Sequence, residues 1–424
     1  MVRTLRIGLL GLGNVARGVL QILRNEQDLL IRRAGVRLEV VRVCDRSYQK
    51  KADIIKDIPT GDDPADIFND DSIDVVLELA GGLEPARTWI LTALQRGRAV
   101  VTANKAVLAR HGNEIFQAAR EHGCDIGFEA AVAASLPIIK NLRRGLIANH
   151  INTIYGILNG TCNFILTRME GEGMDYGEAL RLAQERGFAE SDPTFDVEGH
   201  DAAQKLAIIS ALAFDTAINE EAVLTRGITA LRAVDLELAR RMHCVVRLLA
   251  IARRDPLQMR VQPTMIPQSH MLASVRDEKN AVMMETSNAG PQMIMGLGAG
   301  SLPTASAVVS DLVYLANKSA DSPEYWLSGD SMPQRFEDHV CKYYLRFQAR
   351  DRPGVLAEIA RILSNYQISI ASVHQEEGPE PVDVMVITHS APEKKLLSAL
   401  KEVDDHDFIA APTVAVPMEF AFQE

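Results

Sequence analysis

The chain has 424 residues, 47% hydrophobic and 24% charged, a composition typical of a globular protein of two or three domains. Its formal net charge of −11 at pH 7 and its lack of a dense basic run argue against a nucleic-acid partner, and no apolar run approaches the roughly 18 residues that would span a membrane. Five scattered cysteines without a CxxC pair, and a first strand that begins without an apolar signal segment, favour reduced thiols and a cytoplasmic location.

The first third of the chain alternates between strands and helices. It opens with a buried strand, a glycine turn and a helix in RTLRIGLLGLGNVARGVLQIL, and helical stretches follow at 86–97 and 113–122. Further strand-like runs are LEVVRV (38–43), DVVLEL (74–79), AVVTA (99–103) and CDIGFEA (124–130). Near-continuous Val, Ile and Leu strands alternating with helices predict a doubly wound parallel sheet. We therefore expect an α/β, Rossmann-like dinucleotide-binding domain over residues 1–135, completed by a returning segment near 298–318.

A glycine fingerprint follows the first strand. GLGNVA at 11–16 opens a helix directly after that strand, which is the context of a G-x-G-x-x-A dinucleotide-binding turn. Gly11 permits the tight turn, and Gly13 lets a pyrophosphate approach the free N–H groups at the start of the helix. Ala16 keeps the helix and the strand close together.

The end of the second strand bears on the choice of cofactor. Asp45 and Arg46 stand there, followed by Lys50 and Lys51. An acid at this point binds a ribose 2′-hydroxyl, whereas a cation accommodates a 2′-phosphate. Because both are present, the sequence leaves NAD and NADP open, and a solvated charged loop is the alternative for each cation.

A polar turn, TANK at 102–105, lies just past the fourth predicted strand. Ligands of open α/β sheets bind at this carboxyl edge of the strands. A surface lysine is the alternative, but the position after a buried strand favours a functional Lys105.

Between 136 and 318 the pattern changes to an α+β one. Longer helical patterns occur at 202–214 and 233–253, together with strands such as INTIYGIL and QMRVQPTMI. Within this part, GTCN at 160–163 predicts a polar turn facing a cleft, with an N-cap role for Thr161 as the alternative. For the glycine-rich loop at 296–311, phosphate contact and close helix packing are both open.

The segment GFAESDPTFDVEGHDAAQK (187–205) is the most informative part of the chain. Glu190 and Asp196 belong to a carboxylate-rich loop that runs into a helix, where Asp201 and Lys205 share one face because they are four residues apart. That face continues into apolar residues and must point to a core. An ordinary surface ion pair is the alternative. The crowding of acids and glycines favours an active site, where buried titratable groups serve acid–base chemistry.

The carboxyl-terminal part forms a further module. A stretch rich in turn formers occupies 320–338. From Lys342 the pattern is strand, helix, strand, strand, helix, strand, which is the ferredoxin-like βαββαβ order. We expect a small separate domain over 342–424.

Over nearly its whole length the chain resembles a homoserine dehydrogenase with a C-terminal ACT domain. The motifs that carry the resemblance are NKA (104–106), EAAV (129–132), GILNGTCNFIL (156–166), the segment 187–205, PTMIP (263–267), NA (280–281), GAGSLPTASAV (298–308) and the ACT-like RDRPGVL (350–356). The resemblance implies that residues 136–318 form a catalytic and dimerisation domain and that 342–424 form a regulatory one.

The resemblance also implies a reaction, the reversible NAD(P)-dependent interconversion of L-homoserine and L-aspartate 4-semialdehyde on the route to threonine, methionine and isoleucine. Lys205 would exchange the proton at the substrate oxygen, Asp201 would support it, and Lys105 would contact the substrate or nicotinamide and share the proton transfer. The implied substrate-binding residues are Glu190, Asp196, Thr161 and Gly160. The implied cofactor-binding residues are Gly11, Leu12, Gly13, Asn14, Val15, Arg46, Thr102, Lys105, Gly187 and Gly300.

Two further ligands are implied. A monovalent cation, usually sodium, is expected near Glu129 and the backbone carbonyls of Val132, Ala134 and Leu136. The ACT module implies an amino-acid effector, L-threonine, acting on a homodimer or homotetramer, with a pure dimerisation module as the alternative.

The sequence departs from the family pattern in three places. Ala133, Ala134 and Ser135 stand where the family usually has glycines, which affects the backbone approach around the cation. Phe188 stands where a tyrosine often occurs and removes one hydroxyl from the substrate site. Cys44 replaces a basic residue often found before the acid of the second strand, which weakens a preference for NADP.

Two other interpretations compete. A phosphoglycerate-type dehydrogenase with an ACT tail needs a catalytic histidine and a cofactor fingerprint well inside the chain, whereas here the fingerprint segment begins at residue 8. A non-catalytic effector sensor predicts loss of Lys205, Asp201 or Lys105, and all three are present.

Overall fold

The first part of the chain folds into a parallel sheet. The structure, a computed structural model, describes residues 2–51, 55, 58–318, 339–375 and 378–419, so the predicted turn-rich stretch 320–338 lies outside the described residues. The strands of this sheet are β1 (Arg3–Leu10), β2 (Val36–Cys44), β3 (Thr60–Gly61), β4 (Val75–Glu78), β5 (Ala99–Thr102) and β6 (Ile126–Gly127). Their spatial order is β3-β2-β1-β4-β5-β6, with every neighbouring pair parallel.

Helices pack on both faces of the parallel sheet. They are Asn14–Asn25, Gln27–Ala34, Ala65–Phe68, Ala86–Gln95 and Lys105–Glu121, with a 3-10 turn at Tyr48–Lys51. The predicted doubly wound sheet is therefore confirmed. The chain proceeds from β1 outward to β3 and then returns to β4 on the other side of β1. The carboxyl ends of β1 and β4 thus border the crevice in which open α/β sheets bind ligands.

Two predicted boundaries in this part were wrong. The strand expected over 124–130 is reduced to β6, and the helix expected over 113–122 begins eight residues earlier, at Lys105. The helix begins there because the side chain of Asn104 accepts a hydrogen bond from the backbone N–H of Val107 and caps it.

The helix Ser301–Asn317 brings a late part of the chain back to the parallel sheet. It packs along the helix Asn14–Asn25, and its buried residues Ala305, Val308 and Leu312 belong to the apolar cluster on one face of that sheet. Close packing of helices thus accounts for the small residues of the helix Ser301–Asn317. Close helix packing was one of the two alternatives for the loop 296–311.

The rest of the described chain contains a second sheet, which is largely antiparallel, and helices that accompany it. Its main strands are β7 (Ile151–Ile157), β9 (Cys244–Arg253), β10 (Gln258–Pro267), β11 (Lys279–Thr286), β12 (Gly290–Leu297), β13 (Val340–Ala349), β14 (Ile370–Gln375), β15 (Val382–Thr388) and β17 (Ile409–Met418). Their order is β12-β11-β7-β9-β10-β17-β13-β15-β14, with the short β8 (Leu224–Thr225) beside β10 and β16 (Ala391–Pro392) beside β13.

The helices of this part are Ala130–Ala133, Ile138–Lys140, Gly160–Glu172, Tyr176–Glu185, Thr194–Val197, His200–Phe214 and Ala233–Arg241, with a π-helical turn at Asn141–Gly145 and 3-10 turns at Glu220–Ala222 and Met271–Ser274. No helix of the described ranges has both the length and the apolar character needed to cross a membrane.

The prediction of a single long helix over 233–253 was wrong. The helix ends at Arg241, and the apolar run that follows is the central strand β9. The chain turns at His243, whose φ of 56° lies outside the helical region. Nearly every residue of β9 is buried, and a continuous apolar run of this kind does not reveal by its periodicity whether it is a strand or a helix.

The carboxyl-terminal part has the predicted ferredoxin-like βαββαβ order, with the helices Val355–Asn365 and Glu393–Asp404. It does not stand apart from the second sheet. Its last strand, β17, pairs with β10 at Met265 and Met418, and the buried side chains of Arg260 and Glu419 form a 2.7 Å ion pair at the same junction.

Candidate active site

A cavity of about 630 Å³ lies where the carboxyl edge of the parallel sheet meets the second sheet and its helices. The predicted site residues that line it are Asn14, Val15, Lys105, Val132, Ala134, Gly160, Thr161, Gly187, Glu190, Asp196, Asp201, Lys205 and Gly300. Those that lie outside its lining are Gly11, Leu12, Gly13, Arg46, Thr102, Glu129 and Leu136. The fold therefore gathers into one place residues that are up to about 290 positions apart in the sequence.

Asp201 lies at the centre of the charged end of the cavity. The Nζ of Lys205 donates to its Oδ2 over 2.8 Å and to the backbone carbonyl of Leu158 over 2.7 Å. The Nζ of Lys105 lies 3.1 Å from the other oxygen, Oδ1. Asp201 is 5% exposed and Lys205 9%, so the alternative of an ordinary surface ion pair was wrong. Burial opposes ionisation of Asp201, but the charges of Lys205 and Lys105 lower its pKa to about 2, and the carboxylate is ionised at neutral pH.

The helix His200–Phe214 places Asp201 and Lys205 in this environment. It follows Gly199, whose φ of 87° is in the left-handed region, and every residue from Asp201 to Phe214 is buried. A helix that is buried all round has no solvent-facing stripe. Its charged first turns are therefore stable only because partners meet them inside the protein.

A second carboxylate, Asp196, lies close to Asp201 in the short helix Thr194–Val197. Its Oδ1 accepts a 2.7 Å hydrogen bond from Nδ2 of Asn159, which also donates to Oδ2 of Asp201 over 2.9 Å. Burial, and then the negative charge of Asp201, raise the pKa of Asp196. Asn159 is not among the site residues predicted from the sequence, although it lies inside the motif GILNGTCNFIL.

The N-cap role considered for Thr161 was wrong. Asn159 caps the helix Gly160–Glu172, because its Oδ1 accepts from the backbone N–H of Cys162 over 2.8 Å. The hydroxyl of Thr161 instead donates to the carbonyl of Phe188 over 2.6 Å and ties the helix to the loop 187–190. The ring of Phe188 packs against Phe164 at 4.9 Å, so this position supplies packing where a tyrosine would add a hydroxyl.

The glycine turn lies beside the cavity, directly before the lining residues Asn14 and Val15. Gly11 has a φ of 91°, and a Cβ there would lie 2.5 Å from the backbone of Ala80, so only glycine fits. A Cβ on Gly13 would meet nothing within 4 Å. The backbone N–H of Leu12 donates to Oδ2 of Asp45 over 2.7 Å, which anchors the turn to the end of β2.

Asp45 is therefore already engaged by the protein itself. Besides Leu12 it contacts Ser47 and Lys51, whose Nζ lies 3.0 Å from Oδ2. Burial opposes ionisation, but the hydrogen bonds from Ser47, Leu12 and Lys51 lower the pKa of Asp45 to about 2. The neighbouring Arg46 is exposed to solvent.

A buried glutamate that was not predicted from the sequence, Glu78, shapes the edge of the sheet near Lys105. Glu78 ends β4, and its side chain accepts hydrogen bonds from the hydroxyl of Thr102 over 2.7 Å and from the backbone of Ala80 over 2.9 Å. Burial raises the pKa of Glu78. Asn104, which caps the helix beginning at Lys105, donates to the carbonyl of Gly82 over 2.8 Å. These bonds fix the turn from which Lys105 reaches the cavity.

Two residues of the expected cation site, Val132 and Ala134, line the cavity, and Glu129 and Leu136 lie outside its lining. The two carboxylate oxygens of Glu129 accept from the backbone N–H groups of Ile139 and Lys140 over 2.7 and 2.9 Å. Burial and the charge of Asp311 raise the pKa of Glu129 to about 7. Ala134 has a φ of 48°, so an alanine adopts the backbone conformation that favours glycine. Within the described ranges, no group of three or more His, Cys, Asp or Glu side chains could hold a metal ion.

The loop before the returning helix approaches the glycine turn. Gly298 lies so close to Asn280 that a Cβ would be 2.1 Å from its amide, and the hydroxyl of Ser301 donates to the carbonyl of Asn14 over 2.5 Å. This contact sets Gly300 and the amino end of the helix Ser301–Asn317 beside the helix that begins at Asn14.

Three family models match the chain. A model of homoserine dehydrogenase matches residues 137–313, a model of the homoserine dehydrogenase NAD binding domain matches residues 11–129, and an ACT domain model matches residues 343–405. The matches follow one another along the chain in the order expected from the sequence.

Curated proteins and solved structures agree with these models. The homoserine dehydrogenase of Pseudomonas aeruginosa is 40% identical and that of Neisseria gonorrhoeae 38%, each over 99% of both chains. The crystal structure of a homoserine dehydrogenase from Thiobacillus denitrificans is 42% identical over 98% of both chains, with a TM-score of 0.91. A hyperthermophilic archaeal homoserine dehydrogenase in complex with NADPH is 26% identical over 76% of this chain and 99% of its own, with a TM-score of 0.65.

These matches confirm the resemblance seen in the sequence, and they exclude the phosphoglycerate-type dehydrogenase and the non-catalytic sensor. The nicotinamide cofactor expected from the glycine turn is likewise that of the family. The chain belongs to the homoserine dehydrogenase family of NAD(P)-dependent oxidoreductases, in a form that carries an ACT domain.

Proposed function

We propose that this chain interconverts L-homoserine and L-aspartate 4-semialdehyde in the synthesis of threonine, methionine and isoleucine, and that Lys205 exchanges the proton of the reaction. The observation that carries the proposal is the pairing of two lysine ammonium groups with one buried, ionised carboxylate, Asp201, inside the cavity. The test compares the initial rate of NAD(P)H formation from L-homoserine with that from 3-phosphoglycerate. L-homoserine should give NAD(P)H, and 3-phosphoglycerate should give none.

The chemistry divides between cofactor and protein. A bound nicotinamide would supply the acceptor for the hydride that leaves the carbinol carbon of homoserine. The hydroxyl proton must leave as well, and the neutral amine of Lys205 takes it directly or through water. In the reverse direction the ammonium of Lys205 returns that proton to the aldehyde oxygen. Two of the three N–H positions of Lys205 are directed at Asp201 and the Leu158 carbonyl, which leaves the third for the substrate oxygen. Lys105, held by the other oxygen of Asp201, shares the transfer.

The acidic loop holds the amino acid. Asp196 and Glu190 bind the substrate ammonium, since both are carboxylates that line the cavity. Thr161 and Gly160 lie beside the bound substrate. The Thr161 hydroxyl joins their helix to the loop 187–190.

The part of the cavity next to the glycine turn fits a dinucleotide. The open space next to Gly13 and the tight turn at Gly11 form the cradle that a pyrophosphate occupies. The further residues proposed to contact the cofactor are Leu12, Asn14, Val15, Thr102, Gly187 and Gly300. Asp45 is held by Leu12 and Lys51, and Arg46 is exposed, so neither a 2′-hydroxyl nor a 2′-phosphate is rejected. The enzyme therefore uses both NAD and NADP.

A sodium ion is held by Glu129 and the carbonyls of Val132, Ala134 and Leu136. The donors are hard oxygens of the kind that such cations take. The backbone of Ala134, at a φ of 48°, supports this arrangement without a glycine. Activity in sodium chloride, compared with choline chloride at equal ionic strength, tests this part of the proposal.

The protein forms a cytoplasmic homodimer or homotetramer in which ACT domains pair. L-threonine binds between the paired ACT domains and lowers the rate of homoserine oxidation. Buried contacts between the two parts of the chain support such control. The guanidinium of Arg346 donates to the buried carboxylate of Asp235 over 2.7 Å, and Arg226 lies 3.2 Å from Glu393. Charged pairs of this kind make one part of the protein sensitive to movement of the other.

A segment at 224–232 links these contacts to the acidic loop. The carbonyl of Ala230 accepts from Arg346 over 2.9 Å, while the N–H of Ile228 donates to the carbonyl of Val197 over 2.8 Å. The hydroxyl of Thr229 donates to Glu198 over 2.8 Å. Millimolar threonine should lower the initial rate, and Thr229→Val should weaken that inhibition while the uninhibited rate is retained. A rate that ignores threonine would leave the ACT domain as an assembly module.

A further inference from the structure

Asn159 lies between the two buried carboxylates of the cavity. Its Nδ2 donates to Asp196 over 2.7 Å and to Asp201 over 2.9 Å, and its Oδ1 accepts from the backbone N–H of Cys162. The side chain is 4% exposed. Two contacts fix the orientation of the Asn159 amide. The N–H of Cys162 requires an acceptor, and the reverse orientation would set the amide oxygen against two carboxylates.

The charges around Asp196 explain why a neutral donor is needed there. Asp196 faces Asp201 and the cations Lys205 and Lys105, and the thiol of Cys162 donates to its backbone carbonyl over 3.2 Å. The two lysines pair with Asp201. A hydrogen bond to the ionised form lowers the pKa of a carboxyl group, and the bond from Asn159 therefore opposes the raising effect of burial on Asp196.

We propose that Asn159 is a positioning residue that divides the work of the two carboxylates, holding Asp201 toward the lysine pair and Asp196 toward the substrate ammonium. The inference rests on the roles proposed above for Asp196 and Lys205. Because the amide carries no charge, it satisfies both acids without competing with either lysine. Asp196 is then correctly placed for the substrate ammonium.

The test separates this role from helix capping. Asn159→Ser keeps an oxygen that caps the helix Gly160–Glu172 but removes the amide donor. We expect kcat/KM for homoserine to fall about 10- to 100-fold, the range for lost hydrogen bonds to a charged group. The KM for NADP should stay unchanged, and the acid limb of the kcat/KM profile should move to higher pH as Asp196 binds a proton more readily. Asn219→Ser is the matched control, because Asn219 caps the 3-10 turn Glu220–Ala222.

The outcomes distinguish the inference from the proposal on which it rests. If Asp196→Asn leaves the KM for homoserine unchanged, the role proposed for Asp196 fails. If Asp196→Asn raises that KM while Asn159→Ser keeps the wild-type kcat/KM and pH profile, Asn159 is a helix cap and the inference alone is overturned. Should Asn159→Ser fail to bind NADP or to melt cooperatively, Asn159→Asp takes its place. It keeps the shape and the cap but turns the donor into a third carboxylate, and unchanged kcat/KM in that variant would equally overturn the inference.

Discussion

Replacing Lys205 by methionine removes the ammonium group and keeps an unbranched side chain of similar length. In the variant, Asp201 retains Lys105 at 3.1 Å from Oδ1 and the amide of Asn159 at 2.9 Å from Oδ2. The carboxylate is therefore not left without a partner, and the fold should survive the substitution.

The expected loss follows from the role of the proton. Positioned general acid–base catalysis contributes about 10²- to 10⁴-fold to a rate. Lys105 remains on the same carboxylate and shares the transfer, so we expect kcat for homoserine oxidation to fall by at least about 10²-fold, which raises the barrier by about 2.7 kcal/mol. The hydrogen bonds of Lys205 go to Asp201 and Leu158 and not to the glycine turn, so NADP binding should be unaffected.

The assay is the initial rate at saturating homoserine and NADP, with cofactor affinity measured by fluorescence titration. Lys318→Met is the matched control, because Lys318 is a similarly buried lysine paired with a carboxylate, Asp125, and does not line the cavity. Turnover of Lys205→Met close to that of the control would remove Lys205 from the mechanism.

Three further experiments test other parts of the site. Arg46→Ala should raise the Kd for NADP more than that for NAD; equal changes would mean that Arg46 only faces solvent. The pKa of Asp201 is lowered from 3.8 to about 2, so it stabilises the fold above pH 4 and loses that contribution as pH falls through 2. Between these values, wild type should lose about 2 kcal/mol more of its unfolding free energy in urea titrations than Asp201→Asn, and parallel losses would contradict this. Ala134→Gly should raise the unfolding free energy by up to about 1 kcal/mol by relieving the strain of a φ of 48°, whereas Ala133→Gly, within a helix, should lower it; a loss for both would show that Ala134 is unstrained.

Much of the fold could be predicted because its signals are local. The strand and turn up to Gly13 and the helix carrying Asp201 and Lys205 are each defined by residues adjacent in sequence. The strand β9 could not be predicted, because a strand buried on both faces lacks the alternation that distinguishes it from a buried helix. Its identity depends on the neighbours β7 and β10, which are distant in sequence.

Asn159 and Glu78 could not be predicted for the same reason, since their partners are distant in sequence. Asn159 contacts acids 37 and 42 positions away. Glu78, at the end of β4, contacts Thr102 at the end of the neighbouring strand β5. Nothing in their own neighbourhood reveals these partners. Glu78 ends a buried strand at the ligand-binding edge of a parallel sheet, which is the one sequence signal that could have identified it.

The central claim is that Lys205, held by Asp201, meets the substrate oxygen while Asp196 holds the ammonium. A crystal structure with L-homoserine and a non-reactive nicotinamide dinucleotide tests it most directly. We predict that Nζ of Lys205 lies within about 3 Å of the homoserine hydroxyl, or one water away, with the ammonium against Asp196. A hydroxyl bound away from both Lys205 and Lys105 would contradict the account.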